Sequence, residues 1–116
     1  MVQTHTERQT KNSSSGTTVI THGSEISGKL IIDGGIHIDG KVEGEIQCSS
    51  YAVIGRKGQM KGTIITNKLY INGVVEAKIF ASHVEIYKTG LVKGSIDCRD
   101  MIIEPGAKVS VTKSSE

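Results

Sequence analysis

Lys41-Val42-Glu43-Gly44-Glu45-Ile46-Gln47-Cys48 is the stretch that decides the fold. Apolar or small residues stand at every second position, 42, 44, 46 and 48, and charged or amide residues stand between them. A period of two belongs to an extended strand with one face on a core, because an amphipathic helix returns its apolar residues at three and four. The same unit, apolar-x-small-x-apolar, recurs as Ile26-x-Gly28-x-Leu30, Met60-x-Gly62-x-Ile64, Val75-x-Ala77-x-Ile79 and Val92-x-Gly94-x-Ile96. A shorter apolar-x-apolar unit falls between copies: Ile36-x-Ile38, Ala52-x-Ile54, Leu69-x-Ile71, Val84-x-Ile86 and Met101-x-Ile103.

With the last residue of the short unit as a mark, Ile20, Ile38, Ile54, Ile71, Ile86 and Ile103 follow at steps of 18, 16, 17, 15 and 17 residues. A repeat this short cannot form layers of its own; it is one coil of a β-solenoid, and each coil buries its apolar face only against the next. Aligning the copies gives six inward columns: Ile26, Val42, Met60, Val75, Val92, Val109; Gly28, Gly44, Gly62, Ala77, Gly94; Leu30, Ile46, Ile64, Ile79, Ile96; Ile32, Cys48, Thr66, Ala81, Cys98; Ile36, Ala52, Leu69, Val84, Met101; and the marks themselves. Six inward positions in three pairs predict a triangular cross-section. The small-residue column is expected at a corner where a Cβ would meet the opposite wall. Gly40, Gly55, Gly58, Gly73, Gly90 and Gly106 lie in the links of variable length, where turns absorb insertions.

The rest of the chain fits a single all-β domain of about six coils with disordered ends. It has 116 residues, 14 glycines, one proline and four aromatic side chains, Tyr51, Tyr70, Phe80 and Tyr87, so aliphatic and small residues must build the core. Residues 1–17 contain one aliphatic side chain, Val2, and are expected to be a disordered tail; residues 18–111 form the solenoid, and 112–116 a second disordered tail. Fourteen basic against twelve acidic residues give a net charge of +2, too little imbalance to expect nucleic acid as a partner. No run approaches the roughly 18 apolar residues of a membrane span, and the N-terminus has no secretory h-region, so the expected compartment is the cytoplasm.

The chain lacks the signatures of catalysis. Cys-x-x-Cys, His-Glu-x-x-His, Gly-x-Ser-x-Gly and the phosphate-loop pattern are absent, and His5, His22, His37 and His83 are scattered, so no catalytic residue, metal or cofactor is expected. Cys48 and Cys98 share a column three coils apart, about 14 Å at about 4.8 Å per coil, beyond the reach of a disulfide; they are expected to be buried and inert. Outward charges alternate in sign, as on a solvated face. Tyr70, Phe80 and Tyr87, all at outward parity, are the candidate partner patch.

Three stretches carry a resemblance: Thr18-Val19-Ile20-Thr21-His22-Gly23-Ser24-Glu25-Ile26-Ser27-Gly28-Lys29-Leu30, then Ile38-Asp39-Gly40-Lys41-Val42-Glu43-Gly44-Glu45-Ile46, then Val53-Ile54-Gly55 followed by Gly58-x-Met60-x-Gly62. In these the sequence resembles the bactofilins, bacterial cytoskeletal proteins. The resemblance implies a right-handed triangular β-helix, polymerisation without nucleotide through the end coils into non-polar filaments, and a scaffold role in cell shape and in localising cell-wall enzymes. Partners would be further copies of the chain, cell-wall enzymes or membrane proteins, the last at the inner face of the cell membrane. Met1-Val2-Gln3-Thr4-His5-Thr6 is more polar than the membrane-targeting segment many bactofilins carry, so direct membrane binding is not expected.

Solenoid physics points the same way, because a stack of about six coils, about 29 Å long, ends in unpaired strands and uncovered apolar columns unless something caps them. The expected polymerisation interface is Val19, Ile20, Ile26 and Leu30 at one end and Met101, Ile103, Val109 and Val111 at the other. The alternative is an enzyme or subunit of the left-handed β-helix acyltransferase type. That type repeats strictly every six residues, whereas coil length here wanders from 15 to 18.

Overall fold

Every alternating run becomes a strand in the computed structural model, which describes residues 9–12 and 17–113. Long strands are β3 (Glu25–Ile32), β5 (Lys41–Cys48), β7 (Gln59–Ile65), β9 (Val74–Phe80), β11 (Leu91–Asp97) and β13 (Lys108–Lys113). Short strands of four residues are β2 (Thr17–Ile20), β4 (Gly35–Ile38), β6 (Tyr51–Ile54), β8 (Lys68–Ile71), β10 (His83–Ile86) and β12 (Asp100–Ile103), and β1 (Gln9–Asn12) precedes them all. The described residues contain no helix.

Short and long strands alternate along the chain but separate in space. The six short ones stack in order into one parallel sheet, and the odd-numbered strands, from β1 to β13, stack into another. Each coil therefore lays its own strands on those of the coil before, and the result is a β-solenoid of about five turns, with extents of 35 × 27 × 22 Å.

The register is the one the repeat demands. Ile26, Val42, Met60, Val75, Val92 and Val109 are successive partners, and so are the marks from Ile20 to Ile103. A slip of one residue would send every buried side chain outward, so the alternation excludes it. Ile36, Ile38, Ile46, Ile54, Ile64, Ile71 and Ile96 are wholly buried. Cys48 and Cys98 are buried thiols, and Cys48 Sγ donates to the carbonyls of Tyr51 at 2.9 Å and Gly34 at 3.2 Å.

One expectation needs correction. The small-residue column does not line the core, since Gly44, Gly62 and Gly94 are exposed. These glycines have φ of +132°, +122° and +117°, and they bend β5, β7 and β11 midway. A Cβ on Gly44 would strike not an opposite wall but the carbonyl oxygen of Gly28 in the preceding coil, and Gly62 and Gly94 stand in the same relation to Gly44 and Ala77. Ala77 holds this column in β9 with no left-handed backbone and is buried.

The ends of the chain add strand to the stack. Gln9–Asn12, inside the segment expected to be disordered, is β1 and pairs in parallel with Lys29–Ile32, while at the other end Thr112 and Lys113 extend β13. The remaining tail residues, 1–8, 13–16 and 114–116, lie outside the described residues. Composition misses β1 because an edge strand is held by main-chain hydrogen bonds, which need no apolar side chain.

Candidate assembly interface

The two ends of the stack differ. In the column of marks Ile86 is 1% exposed, yet its partner one coil on, Ile103, is 45% exposed, and Ile102 beside it is 56% exposed. Met101, Ala107 and Val109 pack on the core from one side only and remain partly exposed. The last coil thus presents an apolar surface rimmed by two edge strands, β12 and β13, each with one side unpaired. Parallel stacking produces this directly: the same residues that are buried between coils in the middle of the chain have a coil on only one side at its end.

At the opposite end Ile20, Ile26 and Leu30 are each less than a tenth exposed, although they belong to the first complete coil. β1 runs along the outer edge of β3 from Lys29 to Ile32, with Thr10 opposite Leu30 and Asn12 opposite Ile32, so those two columns end in polar residue types. Only Val19, 49% exposed, is an open apolar residue among the four expected there. At the other end Met101, Ile103 and Val109 all belong to the last coil and are at least partly exposed, and Val111 continues β13 opposite Gly94. The position of the Val111 side chain lies outside the described residues. Ile102 is an addition to the expected set, and the signal for it is an isoleucine at outward parity in the last short unit.

The aromatic patch divides. Tyr70 and Tyr87 lie with the short-strand sheet around Glu85, which is Tyr70's partner in the ladder. Glu85 uses both carboxylate oxygens: Oε2 is 2.8 Å from His83 Nε2, and Oε1 accepts a hydrogen bond from Tyr87 Oη at 2.8 Å. The hydrogen bond with His83, then that from Tyr87, holds the carboxyl below its ordinary value. Tyr87 is pushed up to about 12, first by desolvation and then by the hydrogen bond to the Glu85 carboxylate. Phe80 belongs to the long-strand sheet instead, where it pairs with Ile65, and the two are 42% and 38% exposed. His37 Nε2 sits 3.1 Å from Asp39 Oδ2. Among the described residues no group of three or more His, Cys, Asp or Glu side chains is placed to hold a metal ion.

Known proteins match this chain in sequence but not in solved structure. A bactofilin of Myxococcus xanthus (strain DK1622), BacP, is 32% identical over 91 residues, which are 78% of this chain and 38% of BacP. The chain therefore spans well under half the length of that curated relative. No solved structure matches. The sequence also fits the Bactofilin family, described as polymer-forming cytoskeletal, over residues 18–113, which take in the coils from β2 to β13. A stack of parallel coils with an uncovered apolar end, matched over residues 18–113 by a polymer-forming family, belongs to the bactofilins.

Proposed function

We propose that this chain is the subunit of a cytoskeletal filament that assembles end to end, without nucleotide or metal, and serves at the inner face of the cell membrane as a scaffold for cell-wall enzymes or membrane proteins. The observation that carries the reading is the contrast within one column, Ile86 1% exposed and Ile103 45% exposed. A second copy placed on the last coil would bury Ile103, Val109 and Met101 as Ile86, Val92 and Val84 are already buried, and would pair the open edges of β12 and β13. The other end contributes Val19 and the edges of β1 and β2, a contact with less apolar area. Both contacts rest on burial and main-chain hydrogen bonds, so salt screens them little.

The test is sedimentation and electron microscopy of the purified protein without added nucleotide. Filaments are expected at tens of micromolar, and Val109→Arg, which forces a cation into the contact, should leave small species. A monomeric wild type, or a Val109→Arg variant with unchanged filaments, overturns the reading.

A further inference from the structure

One outer face of the solenoid carries a run of charges that is its own complement. Ahead of the glycine bend, the outward residues of the long strands form two columns running the length of the stack. The first reads Ser27, Glu43, Lys61, Glu76, Lys93, Ser110, and the second Glu25, Lys41, Gln59, Val74, Leu91, Lys108. All the charged members are exposed, and Lys61 Nζ lies 3.9 Å from Glu76 Oε1. A shallow groove of about 220 Å³ crosses the first half of this face between Glu25, Lys41, Glu43, Gln59 and Lys61.

Alternating signs relieve repulsion between coils in any solenoid. Here the alternating run also has an even number of members, Glu43, Lys61, Glu76 and Lys93, so reversing it exchanges every charge for its opposite. The neighbouring column adds Glu25 at one end and Lys108 at the other, and sets Lys41 against Leu91.

We propose that this face is a lateral contact between two copies of the chain lying side by side with their stacks antiparallel. A two-fold axis along the strand direction, between β7 and β9, sets β5 against β11 and β3 against β13 of the second copy. Lys61 then meets Glu76 of the second copy, Glu43 meets Lys93, and Glu25 meets Lys108, each pair made twice. The side chains around β11 and β13 of one copy, Leu91, Lys93 and Lys108, face the groove bordered by Glu25 and Glu43 of the other. Stacks running the same way would set the two columns against each other at equal height, where only Lys41 and Glu43 are opposite in charge.

Exposed ion pairs are individually weak and screened by salt. The contact gains its strength from repetition, since a filament presents the same face once per subunit. In that respect it rests on the filament proposed above, and it gives lateral pairing a salt dependence that end-to-end growth lacks.

The experiment is a covalent trap. A Glu43→Cys copy and a Lys93→Cys copy are mixed at high concentration and low salt with glutathione disulfide, and products are read by non-reducing electrophoresis and intact mass. Within one chain these positions are three coils apart, about 14 Å, too far to bridge. The expected product is a heterodimer in which the Glu43→Cys copy is disulfide-bonded to the Lys93→Cys copy through the two introduced thiols. It should form at least tenfold faster than with a Lys78→Cys control beyond the bend, and be suppressed at about 0.5 M salt. Lys93→Glu should disperse filament bundles, and Glu43→Lys added to it should restore them. Bridging no faster than the control, or unaffected by salt, overturns the proposal. Filaments in electron micrographs without selective bridging would sink the lateral contact alone, whereas selective bridging without filaments would sink the end-to-end reading alone.

Discussion

Gly44, Gly62 and Gly94 are where single residues control the coil. Each needs a left-handed φ and each leaves no room for a Cβ beneath the preceding coil's carbonyl. Gly44→Ala therefore combines backbone strain with overpacking, and we expect a loss of about 2–4 kcal/mol, read as a lowered midpoint of thermal unfolding by circular dichroism. Gly23→Ala is the control: its φ is +93° but nothing lies within 4 Å of an added Cβ, so only the strain of about 1–2 kcal/mol should appear. Equal effects at the two positions would show that the close approach between coils is unimportant.

Tyr87 gives a second measurement at this scale. Its pKa, raised to about 12, means that folding favours the neutral phenol, a contribution fully present below about pH 10 and lost as pH rises through 12. Glu85, whose pKa is lowered, contributes in the opposite sense: its stabilisation is present above the ordinary carboxylate range and fades as pH falls through the folded value. In a phenolate absorbance titration Tyr87 should ionise later than an ordinary tyrosine. Glu85→Gln should bring its midpoint down part of the way, because desolvation remains. An unchanged midpoint would remove the carboxylate from the account.

Among the elements, β1 is the most dispensable and the most informative. Four residues without an aliphatic side chain pair with half of β3, whereas β5 pairs with β3 over all eight positions. Removing residues 1–12 should uncover Leu30 and Ile32 on one side and cost about 2–3 kcal/mol without unravelling the coils beyond. The expected readout is a fall of several degrees in melting temperature with the strand signal of circular dichroism retained. Complete unfolding would mean that β1 nucleates the solenoid rather than closing it. β9 departs from β3, β5, β7 and β11, since Ala77 stands where they have glycine and its methyl is buried, so the bend need not be identical in every coil.

For the whole molecule, the one-dimensional stack makes stability a sum over coils and their neighbours. Amide exchange should be slowest in β5, β7 and β9 and fast in the edge strands β1, β2, β12 and β13, where one neighbour is missing. Assembly should reverse that order at the open end, slowing exchange in β12 and β13 while leaving the centre unchanged. Exchange in β12 and β13 that is the same in filament and in the Val109→Arg species would place the contact elsewhere. Ile103, half exposed, and Ile20, buried, occupy the same column at opposite ends, so the polymer contacts at the two ends are expected to differ in strength.

The amino-acid sequence by itself determined the coil. Period-two alternation sets which side chains point inward, a slip of one residue would turn that whole set outward, and the repeated marks from Ile20 to Ile103 set the register. What it left open depends on relations between main-chain atoms of different coils, or on which coil lacks a neighbour. That Gly44 avoids the carbonyl of Gly28, and not a far wall, follows from the roughly 4.8 Å spacing of stacked strands, which no single repeat contains. That Phe80 parts from Tyr70 and Tyr87 follows from the corner between β9 and β10, because outward parity states that a residue faces solvent and not on which face. The asymmetry of the ends was hidden for the same reason: Gln9–Asn12 carries no hydrophobic pattern, and its place on β3 is dictated by the unpaired main chain of a strand that comes later in the sequence.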